Sequence, residues 1–240
     1  MIKSVPESAE LDNKEKLVKI AADHGADLVG VADLQKLKGI LTFPPALLSN
    51  WKCGVSIAVS LDKYGLYEDS TEDVYAFPLL TRIATRVCEF IEQEGFKSHA
   101  IAADERIEER PPLRWKGEIS HKSVAKAAGL GWIGKSLLLI TPEFGPRVCL
   151  TTVLTDMPLA TGFPMTNACG KCTSCILACP ARALQDKTFK DHPESAEEVL
   201  DFDSCDTHVE NRPEGVDLCF ECMLACPKGR RVTTSQESCV

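Results

Sequence analysis

The chain has 240 residues, 44% hydrophobic and 26% charged, which is enough apolar material for a soluble globular core. No run of about 18 apolar residues occurs, so a membrane-spanning helix is excluded. Lys and Arg number 27 against 35 Asp and Glu, and the net charge of −8 argues against nonspecific nucleic-acid or membrane-surface binding. The opening residues, "MIKSVPESAELDNKEK", carry neither an apolar signal core nor a twin-arginine pair, so a cytoplasmic protein is expected.

Taken in chain order, "DNKEKLVKIAADHG" predicts a helix capped by Asp12 or Asn13, with Leu17, Ile20, Ala21 and His24 on one face and Gly25 at its end. "ADLVGVAD" predicts a short buried strand. "GVSIAVSL" alternates Val55, Ile57, Val59 and Leu61, the period of a half-buried strand. Residues 78–94 predict the clearest helix, with Leu80, Ile83, Val87 and Phe90 at helical spacing, Pro78 in the first turn and Gly95 as the stop. "KSHAIA" reads as a strand and "DERIEERPPLRWKGEIS" as a polar surface loop. In that loop Arg114, Trp115 and Lys116 are candidates to border a cleft and hold an anionic group. "HKSVAKAAGLG" predicts a short helix, and "SLLLIT" and "RVCLTTVL" predict strands around the turn "PEFGP". Helices and strands thus alternate to about residue 157, an α+β or α/β layer. "MPLATGFPMTNA" is a linker, and the remainder is a small domain of sparse apolar content.

Eight of the twelve cysteines fall between Cys169 and Cys226. A disulfide scaffold belongs to an oxidising compartment, whereas dense thiols in a reducing one point to metal ligation. The run Cys169-x2-Cys172-x2-Cys175-x3-Cys179-Pro180 has bacterial ferredoxin spacing, in which the fourth cysteine serves the other cluster. The second run, Cys219-x2-Cys222-x3-Cys226-Pro227, is one cysteine short, and Cys205 supplies it. Two [4Fe–4S] clusters are expected, one on Cys169, Cys172, Cys175 and Cys226, the other on Cys179, Cys205, Cys219 and Cys222. Structural zinc takes paired ligands across a finger loop and does not explain four cysteines in eleven residues. Cys88 and Cys149 sit in apolar patterns and read as core packing; Cys53 and Cys239 lack ligand context.

"GLGWIG", with Gly129, Gly131 and Gly134, fits G-x-G-x-x-G, but a helix precedes it and a strand follows. A dinucleotide site requires the reverse order. The glycines serve either a tight turn or a close approach of backbone to a cofactor.

The segments "GLGWIGK", "PEFG" and "LTDMPL", together with the cysteine spacing and lone Cys205, resemble the epoxyqueuosine reductases and, more distantly, the reductive dehalogenases. The likeness runs over roughly residues 11–229. It implies an α+β fold: a nitroreductase-like α/β core over 1–157, followed by a ferredoxin-like domain over 158–240 with two [4Fe–4S] clusters. It further implies a corrinoid (cobalamin) in the core, fed with electrons by the clusters, with Gly129, Gly131, Gly134 and Lys135 as cofactor-binding residues. The family's acidic proton donor precedes this helix, and the matching position is His121, a candidate proton donor or axial cobalt ligand or a helix-start residue. The family's helical-repeat region that grips tRNA has no counterpart before the last residue. A small-molecule substrate is therefore expected, with nucleic acid not expected as a partner and ferredoxin or flavodoxin as electron donor. Two alternatives stand beside the corrinoid reductase: a non-catalytic electron carrier docking a redox partner protein, and a flavin-dependent iron–sulfur reductase.

Overall fold

In a computed structural model, residues 6–37, 40–63, 76–104, 117–190, 193–212 and 219–229 are described. The segment holding Arg114, Trp115 and Lys116 lies outside them, as does Cys239. The first helix, α1 (Glu7–Asp23), opens earlier than the Asp12 or Asn13 cap predicts. Pro6 occupies the N-cap with Glu7 and Glu10 in the first turn, where fixed φ and negative charge both favour a helix start. Asp12 instead pairs with Lys16 one turn on, and Gly25 ends the helix at φ +109°.

Strands β1 (Leu28–Asp33), β2 (Cys53–Ser60), β3 (Ser98–Ile101) and β6 (Val148–Thr155) form one sheet in the order β1-β2-β6-β3. Every pairing is antiparallel, with Val31 opposite Val55, Val55 opposite Val153 and Ile101 opposite Thr152. This antiparallel sheet with segregated helices makes the fold α+β. Helix α2 (Ala76–Gln93) lays Leu80, Ile83, Val87 and Ile91, all fully buried, against one face together with Leu17 and Ala21 of α1. Each such side chain contributes roughly 1.5–3 kcal/mol of hydrophobic stabilisation.

The opposite face carries α3 (His121–Ala127) and a two-stranded hairpin, β4 (Trp132–Ile133) and β5 (Leu139–Ile140). Strand β2 is consequently buried along its whole length rather than half-buried. Its second face is built of Gly54, Ser56, Ala58 and Ser60. A Cβ on Gly54 would come within 2.9 Å of both Leu34 and Val124, so small residues are what let α3 lie close to the sheet.

The linker crosses back over the core. The amide of Ala160 donates to Glu10, that of Gly162 to Val31, and the Asn167 side chain to the Ile133 carbonyl. Beyond it lie three short helices, α4 (Ser174–Ala178), α5 (Phe202–Glu210) and α6 (Glu221–Leu224); α4 and α6 each carry one cysteine of the two runs, and α5 carries Cys205. Helices α4 and α6 pack together. Among the described residues no helix is long and apolar enough to cross a membrane.

Candidate metal centre

Short helical turns set the thiols. Cys172 precedes α4, Cys175 lies within it, and Cys179 ends it with extended backbone before Pro180, which cannot continue the helical hydrogen bonding. The second run repeats this around α6, with Cys219 before it, Cys222 within it and Cys226 after it. Cys205 is presented by α5, whose Asp201 cap accepts from the Ser204 amide.

Within each of the two expected ligand sets the thiols act on one another, and Cys222 also feels Cys175 of the other set ahead of Cys179 and Cys205. Burial, then the charges of Cys169, Cys226 and Cys172, pushes the Cys175 thiol up to about 11. Cys226 is raised by burial and then by Cys169 and Cys172. In the other group, burial pushes Cys222 up to about 12, with Cys219, Cys175, Cys179 and Cys205 adding to it. Cys205 is raised by burial, Asp206, Cys179 and Cys219. The two sets therefore adjoin. Such mutual repulsion among thiolates is what a bound cationic iron core relieves.

All eleven described cysteines are free thiols, and among the described residues no three His, Cys, Asp or Glu side chains converge tightly enough for a single ion. The donor set, eight thiols in two short runs and α5, is of the type iron–sulfur clusters use.

The core closes over the first group. The indole N–H of Trp132 donates to Cys169 Sγ at 3.4 Å, and a Cβ on Gly134 would lie 3.5 Å from the same sulfur. Lys135 is only 4% exposed, with its ammonium 2.7 Å from Asp186. Cys172 is held below the usual thiol range, first by hydrogen bonds from Ser174 and then by the charges of Lys135 and Lys228. The buried Arg147 guanidinium donates to Asp62 and to the Lys228 carbonyl. The turn "PEFG" earns its glycine here, because a Cβ on Gly145 would overlap the Lys228 carbonyl.

At the glycines expected to approach a corrinoid, the space a Cβ would take is filled by the chain itself. A Cβ on Gly129, at φ +84°, would stand 2.6 Å from the Phe163 carbonyl, and one on Gly131 would overlap the Ile140 carbonyl. A helix precedes this segment and a strand follows it, as the order of motifs predicts. These glycines therefore face the linker and β5 along their Cβ directions. Lys135 is likewise turned to Asp186 and the cysteine loop. The signal that finds this is the proximity of "GWIGK" to the cysteines, which one-dimensional spacing does not carry.

His121 opens α3 beneath the Ser120 cap. Its Nδ1 is 2.8 Å from the Thr152 hydroxyl and its Nε2 3.0 Å from the Ala102 carbonyl. Because a carbonyl only accepts, Nε2 carries the proton and Nδ1 accepts from Thr152. Burial lowers its pKa, opposed by the bond to Ala102, so the ring is neutral at neutral pH. Nearby, His99 Nε2 lies 2.7 Å from Glu118, and its ring stacks on Trp51 with centroids 6.2 Å apart.

Comparison with known proteins bears on this arrangement. No family model matches the chain. The epoxyqueuosine reductase of Listeria monocytogenes is 36% identical over 145 residues, covering 52% of this chain and 35% of that protein. The epoxyqueuosine reductase of Gloeobacter violaceus is 38% identical over 122 residues, covering 46% and 36% respectively. The chain is a sequence relative of the epoxyqueuosine reductases. The matches span about a third of the length of these relatives.

The fold agrees. An epoxyqueuosine reductase crystallised with an epoxyqueuosine-modified tRNA stem loop superposes with a TM-score of 0.62 at 22% identity, over 91% of this chain and 65% of that one. A reductive dehalogenase, described with a mechanism for B12-dependent dehalogenation, superposes with a TM-score of 0.73 at 18% identity, over 98% of this chain and 34% of that one. The expectation of no nucleic-acid partner is overturned, since the chain's relatives are epoxyqueuosine reductases and one of that name has been solved with a tRNA stem loop. That expectation rested on net charge and on where the chain stops. Net charge is a whole-molecule sum that does not describe one local face, and a chain spanning a third of its relatives says nothing by its end.

Proposed function

We propose that this chain is an iron–sulfur reductase acting on an epoxyqueuosine-type nucleoside in tRNA, with a nitroreductase-like core and a ferredoxin-like cluster domain. One observation carries the reading: the two expected four-thiol sets adjoin each other, and one is packed beneath Trp132 and Lys135 of the core. Cys169, Cys172, Cys175 and Cys226 would hold one [4Fe–4S] cluster, and Cys179, Cys205, Cys219 and Cys222 the other. Such clusters pass single electrons, and their adjacency gives a relay inward from a ferredoxin- or flavodoxin-type donor.

Reducing an epoxide to an alkene takes two electrons and two protons and releases the oxygen as water. A B12-type corrinoid in the core, suggested by the dehalogenase likeness, would supply strongly reducing chemistry at low potential. The chain's own share is to deliver electrons through the paired thiol groups and protons from a held side chain. His121 is the candidate proton source; because the neutral ring is too weak an acid, it would donate from the imidazolium, whose second proton sits on Nδ1 on the side of Thr152 while Nε2 stays bonded to the Ala102 carbonyl.

The test is anaerobic purification with iron, sulfide, cobalt and flavin analysis, followed by turnover of an epoxyqueuosine-modified tRNA stem loop. Iron and sulfide near eight each per chain, retained cobalt and formation of queuosine are the expected results. A protein free of iron and loaded with zinc would end the reading, and retained flavin without cobalt would replace the corrinoid.

A further inference from the structure

We infer that Trp132, Lys135 and Asp186 set the reduction potential of the cluster on Cys169, Cys172, Cys175 and Cys226, holding it above that of its neighbour. The inference rests on the cluster reading above and assigns the "GWIGK" segment a role in electron transfer rather than in cofactor cradling.

The Trp132 indole N–H points at Cys169 Sγ from 3.4 Å, which places a donor on a ligand sulfur. Gly134 lies beside the same sulfur, where a Cβ would be in ordinary contact at 3.5 Å, and it is the Ile140 side chain at 2.7 Å that such a Cβ would meet too closely. Lys135 is buried at 4% exposure and is held by a carboxylate that is itself 56% exposed. The Lys135–Asp186 pair joins the core to the cysteine loop, 51 residues apart in sequence.

Around the second set, Asp201 caps the helix that presents Cys205 and Asp206 is the next residue after that cysteine, so two carboxylates stand near it. When a cluster takes up one electron its negative charge grows. A hydrogen bond to a ligand sulfur and a buried cation both favour that more negative state and raise the potential; nearby carboxylates lower it. The first cluster is therefore the one on which an electron rests, and the second is the one that hands it over.

The signs make this testable without turnover. The anaerobic holoprotein is titrated with dithionite through redox mediators while the reduced clusters are followed by electron paramagnetic resonance. Trp132→Phe keeps the ring but removes the donor, and Lys135→Gln removes the cation; each is expected to shift the higher of two midpoints downward and leave the lower one unmoved. Asp186→Asn leaves the cation uncompensated and is expected to shift the same midpoint upward, while Lys135→Arg retains the parent value. Midpoints unchanged in all variants with iron fully loaded, or Lys135→Gln and Asp186→Asn moving in the same direction, overturns the inference. Absence of iron from the parent protein instead overturns the cluster reading.

Discussion

His121 shows how one buried ring ties stability to pH. Its folded pKa lies below the unfolded value near 6.5, because burial disfavours the charged ring more than the Ala102 bond favours it. Between those two values the unfolded chain binds more protons than the native one, so stability rises with pH through that window. The contribution is complete above about pH 6.5 and is lost as pH falls toward the folded pKa, at about 1.4 kcal/mol per unit of depression. Thermal midpoints measured at pH 7.5 and 5.5 are expected to drop further for the parent than for His121→Gln, with a parallel fall in both excluding the assignment. At Gly131 the constraint is steric. Gly131→Ala drives a Cβ into the Ile140 carbonyl, and denaturant titration is expected to show a loss of about 1–3 kcal/mol. The cysteine spacing is legible in one dimension because each ligand run is local. The partner of Gly131 is not, because β5 folds back over it only in three dimensions.

At the scale of elements, β2 is where sequence pattern and environment part. Alternation of Val55, Ile57 and Val59 with Ser56, Ala58 and Ser60 reads as one wet face, yet every residue from Cys53 to Ser60 is buried. Small size, not polarity, is what that second face supplies, since α3 and the Leu34 side chain press against it. Helix α2 is legible nearly to its ends, because a single apolar stripe against solvent has no such ambiguity. Among the described residues the buried Ser56 hydroxyl has no hydrogen-bond partner. Removing an unsatisfied polar group recovers its desolvation cost, so Ser56→Ala is expected to stabilise the protein by about 1 kcal/mol in urea unfolding. Ile83→Ala, by contrast, opens a cavity under the sheet and is expected to cost about 2–5 kcal/mol. A destabilised Ser56→Ala would mean that a water bridges the hydroxyl.

The whole molecule divides by what holds each part together. Up to Leu159 the chain is packed around an extended apolar core on both faces of the sheet. Beyond it, the described buried hydrophobics are Ala183, Leu184, Val199 and Met223, far too few to offset the entropy of ordering a domain of that length. On the cluster reading proposed above, ligation supplies the missing stabilisation, and its binding energy is folding energy. Stripping iron anaerobically with a chelator is therefore expected to unfold the segment after about residue 168 while the sheet survives. Limited proteolysis, read by intact mass, should then cut within residues 169–229 and spare the core, whereas the iron-loaded protein resists at both places. Cys205→Ser should halve the iron content and expose the segment around α5, and Cys88→Ser, a substitution beside the core rather than in a ligand run, should leave iron unchanged. If the chelated protein resists proteolysis as the parent does, the second part is held by packing alone, and its cysteines need some other explanation.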